Sequence, residues 1–355
     1  MPDFRELIAV AATAADRRSL WRGLGESGAL GQLHESSEMD DDKLGVLLAE
    51  LDACAPMGDV LAVCVQVATV IPVLRGMADG GLARDVLEEM LHGKTTVALA
   101  ATDASLSGSA LMDIRTTVTP TEHKAVLNGG KEWITNALDA DYALVLARHR
   151  AARHVTSFRW ALVPTDRPGV AREPSGDTFP TVGHLRFTDV ELDREHLVGR
   201  QGRALAEFAG HLGSERLAGV LWARALTRRV LLDTRTFLGT RSTGDGVLWD
   251  NAVVRHRFAQ CVLEWHRLAA LCRRPVSIAD GMLLKAACGQ SVDHILGECV
   301  HLRGAEAFRD GGVASVRERA AMFGIAGGAT GTMLAGVADY AEQLLDSVQL
   351  LDRAP

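Results

Sequence analysis

The spacing of apolar residues changes twice along this 355-residue chain, and those two changes confine the fold. Over residues 4–91 apolar side chains recur every three or four positions, as in Leu44, Leu47, Leu48 and Leu51, which places them on one face of a helix. From Thr95 the texture shifts to short runs, 95–100, 116–118, 125–127, 142–147, 157–164 and 184–190, separated by polar or proline-containing turns, as in a barrel or sandwich. Asn128-Gly129-Gly130 reads as a turn between two strands. Helical spacing returns after Gly202 in runs 204–238, 253–272, 278–303 and 331–351, interrupted by a Gly/Ser/Thr/Asp-rich loop at 240–249. These runs are long enough for an antiparallel four-helix bundle. The chain also exceeds the size at which one core keeps growing. The expectation is an α+β multidomain protein: an all-α domain over 1–94, a small β-barrel over 95–198 and a helical bundle over 199–355.

Charge and motifs narrow the function. A formal charge of −7 leaves no cationic excess to replace counterions along a nucleic acid, so nucleic-acid partners are not expected. The basic stretch 267–274 interleaves with Leu and Ala and reads as a solvated helix face. Cys54, Cys64, Cys261, Cys272, Cys288 and Cys299 are scattered singly and read as reduced, mostly buried thiols. The beginning MPDFRELIAV lacks a basic leader, and no window suggests a bilayer-crossing helix, so a cytoplasmic protein without a membrane partner is expected. Neither a G-x-x-x-x-G-K-[ST] nor a G-x-G-x-x-G loop occurs between a strand and a helix. There is no H-E-x-x-H pair, and His256 and His266 are ten residues apart, off a common helix face, so no metal site is expected. No G-x-S-x-G elbow is present.

Two elements of the β segment do carry chemistry. Ala101-Thr102-Asp103 precedes Gly108-Ser109, and both precede Leu127-Asn128-Gly129-Gly130-Lys131-Glu132-Trp133-Ile134-Thr135-Asn136. Taken alone, the second element is a hairpin with a buried tryptophan. In this order the two resemble the T-E-P-x-x-G-S-D and L-N-G-x-K-x-W-I-T-N segments of the acyl-CoA dehydrogenase family, a flavin-dependent family, and the resemblance spans about residues 40 to 350. It implies FAD as cofactor. Trp133 would pack against the isoalloxazine ring, and Thr102, Gly108, Ser109 and Thr135 would bond the flavin and its diphosphate. Weaker matches place Arg235 and Phe237 at the family's R-x-x-F-G, and His301 and Gly304 at its Q-x-x-G-G. Those segments reach the cofactor from a neighbouring subunit, which implies a homodimer or homotetramer. His301 stands where the family has glutamine.

The family's reaction removes an α-proton from an acyl thioester with a carboxylate while hydride leaves to flavin. The late I-x-E-G-T motif that usually supplies this carboxylate reads Ile325-Ala326-Gly327-Gly328-Ala329 here, so Gly327 cannot act. Some members carry the base on the first bundle helix in L-x-x-E-R, which Leu212-Gly213-Ser214-Glu215-Arg216 matches. Glu215 is the candidate base. The alternative is that Glu215-Arg216 simply favours a helix dipole. Gly213 stands where relatives often have an aspartate that contacts the thioester's carrier, so altered coenzyme A recognition is expected; the substrate that the resemblance implies is an acyl thioester of coenzyme A or of an acyl carrier protein. Two further functions stay open. One is a two-component monooxygenase fed by a flavin reductase in place of an electron acceptor, motivated by Gly327. The other is a degenerate scaffold subunit.

Overall fold

A computed structural model describes the chain apart from residues 1–2, 13, 15, 37–38, 78–79, 109, 273–276 and 352–355, and without the side chains of 347–351. It forms two compact units, Met1–Leu212 and Gly213–Pro355, divided within one long helix.

The first unit begins with helices α1 (Phe4–Ala11), α2 (Arg17–Glu26), α3 (Ala29–Leu33), α4 (Asp41–Cys54), α5 (Met57–Val65), α6 (Ile71–Arg75) and α7 (Gly81–Leu91). Asp3, Asp16 and Asp40 start α1, α2 and α4 by accepting first-turn amides, satisfying donors that a helix start leaves unpaired. A widened π turn, Gln66–Val70, joins α5 to α6. It lies just before Pro72, which has no N–H for the helical ladder. The expectation that no stretch approaches membrane-spanning length does not hold, because Met57–Arg75 is long and apolar enough. Its Val60, Val67, Val70, Ile71 and Leu74 are buried in this unit's core, which accounts for its hydrophobicity.

Strands follow: β1 (Val97–Ala100), β2 (Thr117–Pro120), β3 (Lys124–Thr135), β4 (Tyr142–Arg148), β5 (Phe158–Pro164), β6 (Val170–Pro174) and β7 (Val182–Asp193). They form one sheet in the order β1-β4-β2-β3-β7-β6, with β5 on the other edge of β4. Its interior is lined largely by small residues, among them Ala98, Ala100, Ala125, Ala143, Ala147 and Ala161, beneath Leu127, Phe187 and Leu192. Gln66 fastens the helices to the sheet: its side-chain amide donates to Val97 O at 2.5 Å and accepts from Val97 N at 3.1 Å. Asn136 Nδ2 donates to Ala62 O, and Trp21 Nε1 to Thr95 O.

Asn128-Gly129-Gly130 is not a turn between strands. β3 is continuous and pairs with β7 from Lys124 to Thr135, with register shifts between Leu127 and Gly129 and between Lys131 and Ile134. The first shift is a bulge. Gly129 has φ +139°, and a Cβ there would meet Thr116 Oγ1 at 2.6 Å. Asn128 closes the bulge by donating to Asp189 Oδ1 at 3.0 Å and accepting from Asp189 N at 2.8 Å. Glycine serves a bulge as readily as a hairpin, and only the long-range partner decides between them.

Helices resume with α8 (Ala204–Thr240), α9 (Ala252–Leu271), α10 (Ile278–Arg303), α11 (Val313–Ala320), α12 (Thr330–Asp339) and α13 (Ala341–Leu351). In the second unit α10 packs against α9, α11 and α12. Arg257 Nε donates to Glu298 Oε2, and Ser291 Oγ to Glu264 Oε1, both at 2.8 Å, which fixes α9 and α10 antiparallel. The continuous helix expected over 331–351 is broken at Tyr340. Of the basic stretch, Arg267 is exposed and pairs with Glu264, while Arg273 and Arg274 lie outside the described residues. The cysteines are free thiols; Cys64, Cys261, Cys288 and Cys299 are buried and Cys54, against expectation, is exposed. Burial pushes the Cys261 and Cys288 thiols up to about 12, which keeps them protonated and unreactive.

Candidate functional site

In the first unit the sequence-selected residues gather around β3. The stretch after β1 lies along it: Glu132 N donates to Thr102 O at 3.1 Å, and Ala104 N donates to Gly130 O at 3.0 Å. Gly108 folds back so that a Cβ on it would stand 3.4 Å from Thr102 Oγ1. Thr135 ends β3 opposite Val182 and is half-buried. Ser109 lies outside the described residues.

Trp133 is not buried, as a plain hairpin tryptophan would be. It is 66% exposed and sits in the second bulge of β3 with φ +59°, a backbone that a bulky residue rarely adopts. The surrounding structure holds it there. Its amide donates to His184 Nδ1 at 3.2 Å, and the His184 ring meets the indole edge-on with centroids 5.3 Å apart. Strain of this kind concentrates at functional sites.

Beneath the loop lies a buried ion pair that sequence reading passed over. Lys131 is fully buried, and its Nζ donates to Asp103 Oδ1 at 2.5 Å, Leu146 O at 2.7 Å and Ala101 O at 2.9 Å. Burial brings its pKa down to about 8 against the pull of Asp103. The available signal was the lysine inside the quoted motif, two residues before Trp133.

The second unit brings together Glu215, Arg216, Lys285 and Gly327. A Cβ built on Gly327 would stand 2.9 Å from Glu215 Oε1 and 4.0 Å from Lys285 Cε. The Glu215 carboxylate therefore occupies the space in which a side chain at position 327 would begin. Arg216 Nε lies 3.4 Å from Gly327 O, and Lys285 Nζ donates to Phe323 O at 2.5 Å. Burial pushes the Glu215 carboxyl above the usual carboxylate range, and the Lys285 and Arg216 charges oppose that rise. Lys285 lies within the helical run 278–303; its place beside Glu215 depends on a contact that its sequence position does not reveal.

Arg235, Phe237, His301 and Gly304 lie elsewhere in this unit. Arg235 is twenty positions past Glu215, about 30 Å along α8 at the helical rise. Its guanidinium stacks 3.7 Å above Trp249, from the loop after α8. The Phe237 ring lies under Arg303, 5.1 Å from its Cζ, while His301 is exposed and Gly304 ends α10 at φ +58°. In the first unit Asp193, Glu195 and His196 come close enough to suit a cation. There Arg167 Nη2 is 3.0 Å from Asp193 Oδ2 and 3.1 Å from His196 Nε2, so a guanidinium already occupies the place.

Helices, then a seven-stranded sheet, then helices again is the element order along the chain, and it is the acyl-CoA dehydrogenase type of fold. Residues 98–194 match the acyl-CoA dehydrogenase middle domain and residues 201–341 the C-terminal domain. The chain belongs to the acyl-CoA dehydrogenase family. It is 24% identical over 231 residues to an acyl-CoA dehydrogenase of Alternaria alternata, AFT10-1, a match covering 63% of this chain and 52% of that one. The chain spans about half the length of the curated relatives it matches. Among solved structures, butyryl-CoA dehydrogenase from Megasphaera elsdenii superposes with TM-score 0.85 at 16% identity, covering 96% of this chain and 98% of that one. The prolyl acyl carrier protein oxidase AnaB does so with TM-score 0.85 at 17% identity, covering 95% and 97%.

Proposed function

We propose that this chain is a flavin-dependent oxidoreductase that forms an α,β double bond in an acyl thioester, with FAD as cofactor and Glu215 as base. The observation that carries the catalytic assignment is the Glu215 carboxylate lying against Gly327. A carboxylate delivered from α8 stands where the late motif lacks one. That contact favours dehydrogenation over the monooxygenase reading, which Gly327 motivated.

The residues around β3 fit a planar cofactor. Trp133 offers an exposed ring on a backbone fixed by the bulge and by His184. Thr102, Gly108 and Thr135 offer hydroxyl and amide groups on nearby chain, and Ser109 belongs to the same proposal. When bound, the flavin supplies the acceptor for the substrate's hydride. Glu215 takes the α-proton, and burial, which raises its pKa, strengthens it as a base. The Lys285 and Arg216 charges oppose that rise and favour the ionised form.

The distance from Glu215 to Arg235 along α8 supports a homo-oligomer, in which Arg235, Phe237, His301 and Gly304 serve a neighbouring copy's cofactor. The likeness to AnaB and the family membership support an acyl group held on a carrier protein or coenzyme A, and a separate electron acceptor. The test is anaerobic: purified protein is reconstituted with FAD and mixed with acyl-carrier and acyl-CoA thioesters while the flavin absorbance is followed. Wild type should bleach with one of them, and Glu215→Gln should bind FAD but not bleach. Full bleaching by Glu215→Gln would sink the base assignment.

A further inference from the structure

We propose that the buried Lys131–Asp103 pair is a clasp that sets the loop between β1 and β2 in its flavin-binding form, making both residues positioning residues for the cofactor. This rests on the flavin reading above.

The argument begins with where the hydrogen bonds go. Asp103 stands at the start of the loop, and its carboxylate accepts from the loop's far end: Arg115 N at 2.5 Å, Thr116 N at 2.9 Å and Thr116 Oγ1 at 2.8 Å. One side chain thus closes the loop, with Thr102 just before the closure and Gly108 inside it. A carboxylate taken out of water needs a counter-charge and a full set of donors. Lys131 supplies the charge from β3, and its other two donors reach Ala101 O beside the loop and Leu146 O on β4. An ammonium has three donors, and all three of these are engaged within the fold. Lys131 therefore acts on a ligand only through the loop that it holds.

A second observation ties the clasp to the ligand-facing surface. Lys131 points inward, whereas Trp133, two residues on, is exposed, and the intervening Glu132 accepts from Ser105 N at 3.2 Å through Oε2. The same three-residue stretch of β3 fixes the loop from beneath and carries the exposed ring above. A buried ion pair is often no more stabilising than apolar residues of similar volume. What this pair adds is a single geometry at both ends of the loop.

The test separates positioning from stability. Lys131→Met leaves Asp103 as an uncompensated buried charge and should lower both the melting temperature and FAD affinity. Lys131→Met/Asp103→Asn removes both charges and should regain most of the melting temperature while FAD, titrated onto apoprotein by fluorescence quenching, binds at least about tenfold more weakly than to wild type, a full decade in Kd. A double variant that recovers stability and binds FAD within about threefold of wild type, less than half a decade in Kd, overturns the clasp and leaves the flavin reading intact. Wild type that binds no FAD overturns the flavin reading and this proposal with it. Where the double variant does not fold, Thr116→Val removes one donor to Asp103 with little change of shape, and the same threefold threshold decides.

Discussion

Gly327→Ala tests the relation between the late glycine and Glu215. Gly327 has φ +71°, and an L-residue held in the left-handed region costs roughly 1–2 kcal/mol. The added Cβ would also sit 2.9 Å from Glu215 Oε1, with Lys285 Cε only 4.0 Å away. Ordinary contact needs about half an ångström more than that first distance, so the carboxylate must move. Glutamate is flexible and can move cheaply, so the stability loss should stay near the backbone figure, about 1–2 kcal/mol, or roughly 2–8 °C in melting temperature for a unit of this size. The rate should suffer more. A displacement of about 1 Å can cost about a hundredfold, and half of that on the same exponential scale gives about a tenfold fall in the rate of anaerobic flavin bleaching. Gly331→Ala is the control, since a Cβ there meets nothing within 4 Å and Gly331 lies in α12. It should leave bleaching unchanged and be neutral or slightly stabilising. If Gly327→Ala bleaches at the wild-type rate while its melting temperature falls as expected, proton abstraction does not depend on the Glu215 carboxylate's position, and the reasoning fails.

Three other outcomes follow from named contacts. Because burial raises the folded pKa of Glu215, its contribution to stability is present at low pH and is lost as pH rises through that folded value; Glu215→Gln should therefore melt above wild type at neutral pH, and a lower melting temperature would contradict the burial. The folded Lys131 pKa is about 8 against 10.5 for the free side chain, so the unfolded chain holds more protons between those values and the stability of wild type relative to Lys131→Met should rise with pH across that window, measured by urea denaturation at matched ionic strength. Gly25→Ala should destabilise by about 3 kcal/mol or more, at the upper end for overpacking, because its Cβ would stand 2.2 Å from Gly93 N and His92 C; a variant melting within a degree of wild type would mean α2 does not approach that turn so closely.

Much of the fold is legible because period follows burial. The run expected over 278–303 is α10 to the residue, since its start has a Ser277 cap and its end a glycine. β6 went unread because Val170–Pro174 is an exposed edge carrying Arg172, Glu173 and a proline, which gives no alternation to detect. The short α11 was likewise not singled out. The site was legible to the extent that its chemistry sits in contiguous motifs, as around Trp133. Its exposure was not legible, because it depends on a bulge registered against β7. Nor could sequence alone place Glu215 against Gly327, or Lys131 beneath the loop, since these are meetings of distant segments whose residue types also suit ordinary helix and strand positions.

The pairing of Gln66 with Val97 also bears on how the sheet ends. A strand with one free side presents unpaired amides and carbonyls to which a foreign strand can add. On the side of β1 away from β4, the Gln66 carboxamide takes both polar groups of Val97, imitating one residue of a neighbouring strand without offering a further edge. At the opposite end β6 carries charged side chains and Pro174. Replacing Gln66 by leucine would therefore do more than remove two bonds from the core; it would leave the edge amide and carbonyl of Val97 unpaired behind a buried helix, so that partial unfolding of that helix would present a short template for intermolecular β-addition, visible as concentration-dependent aggregation on heating.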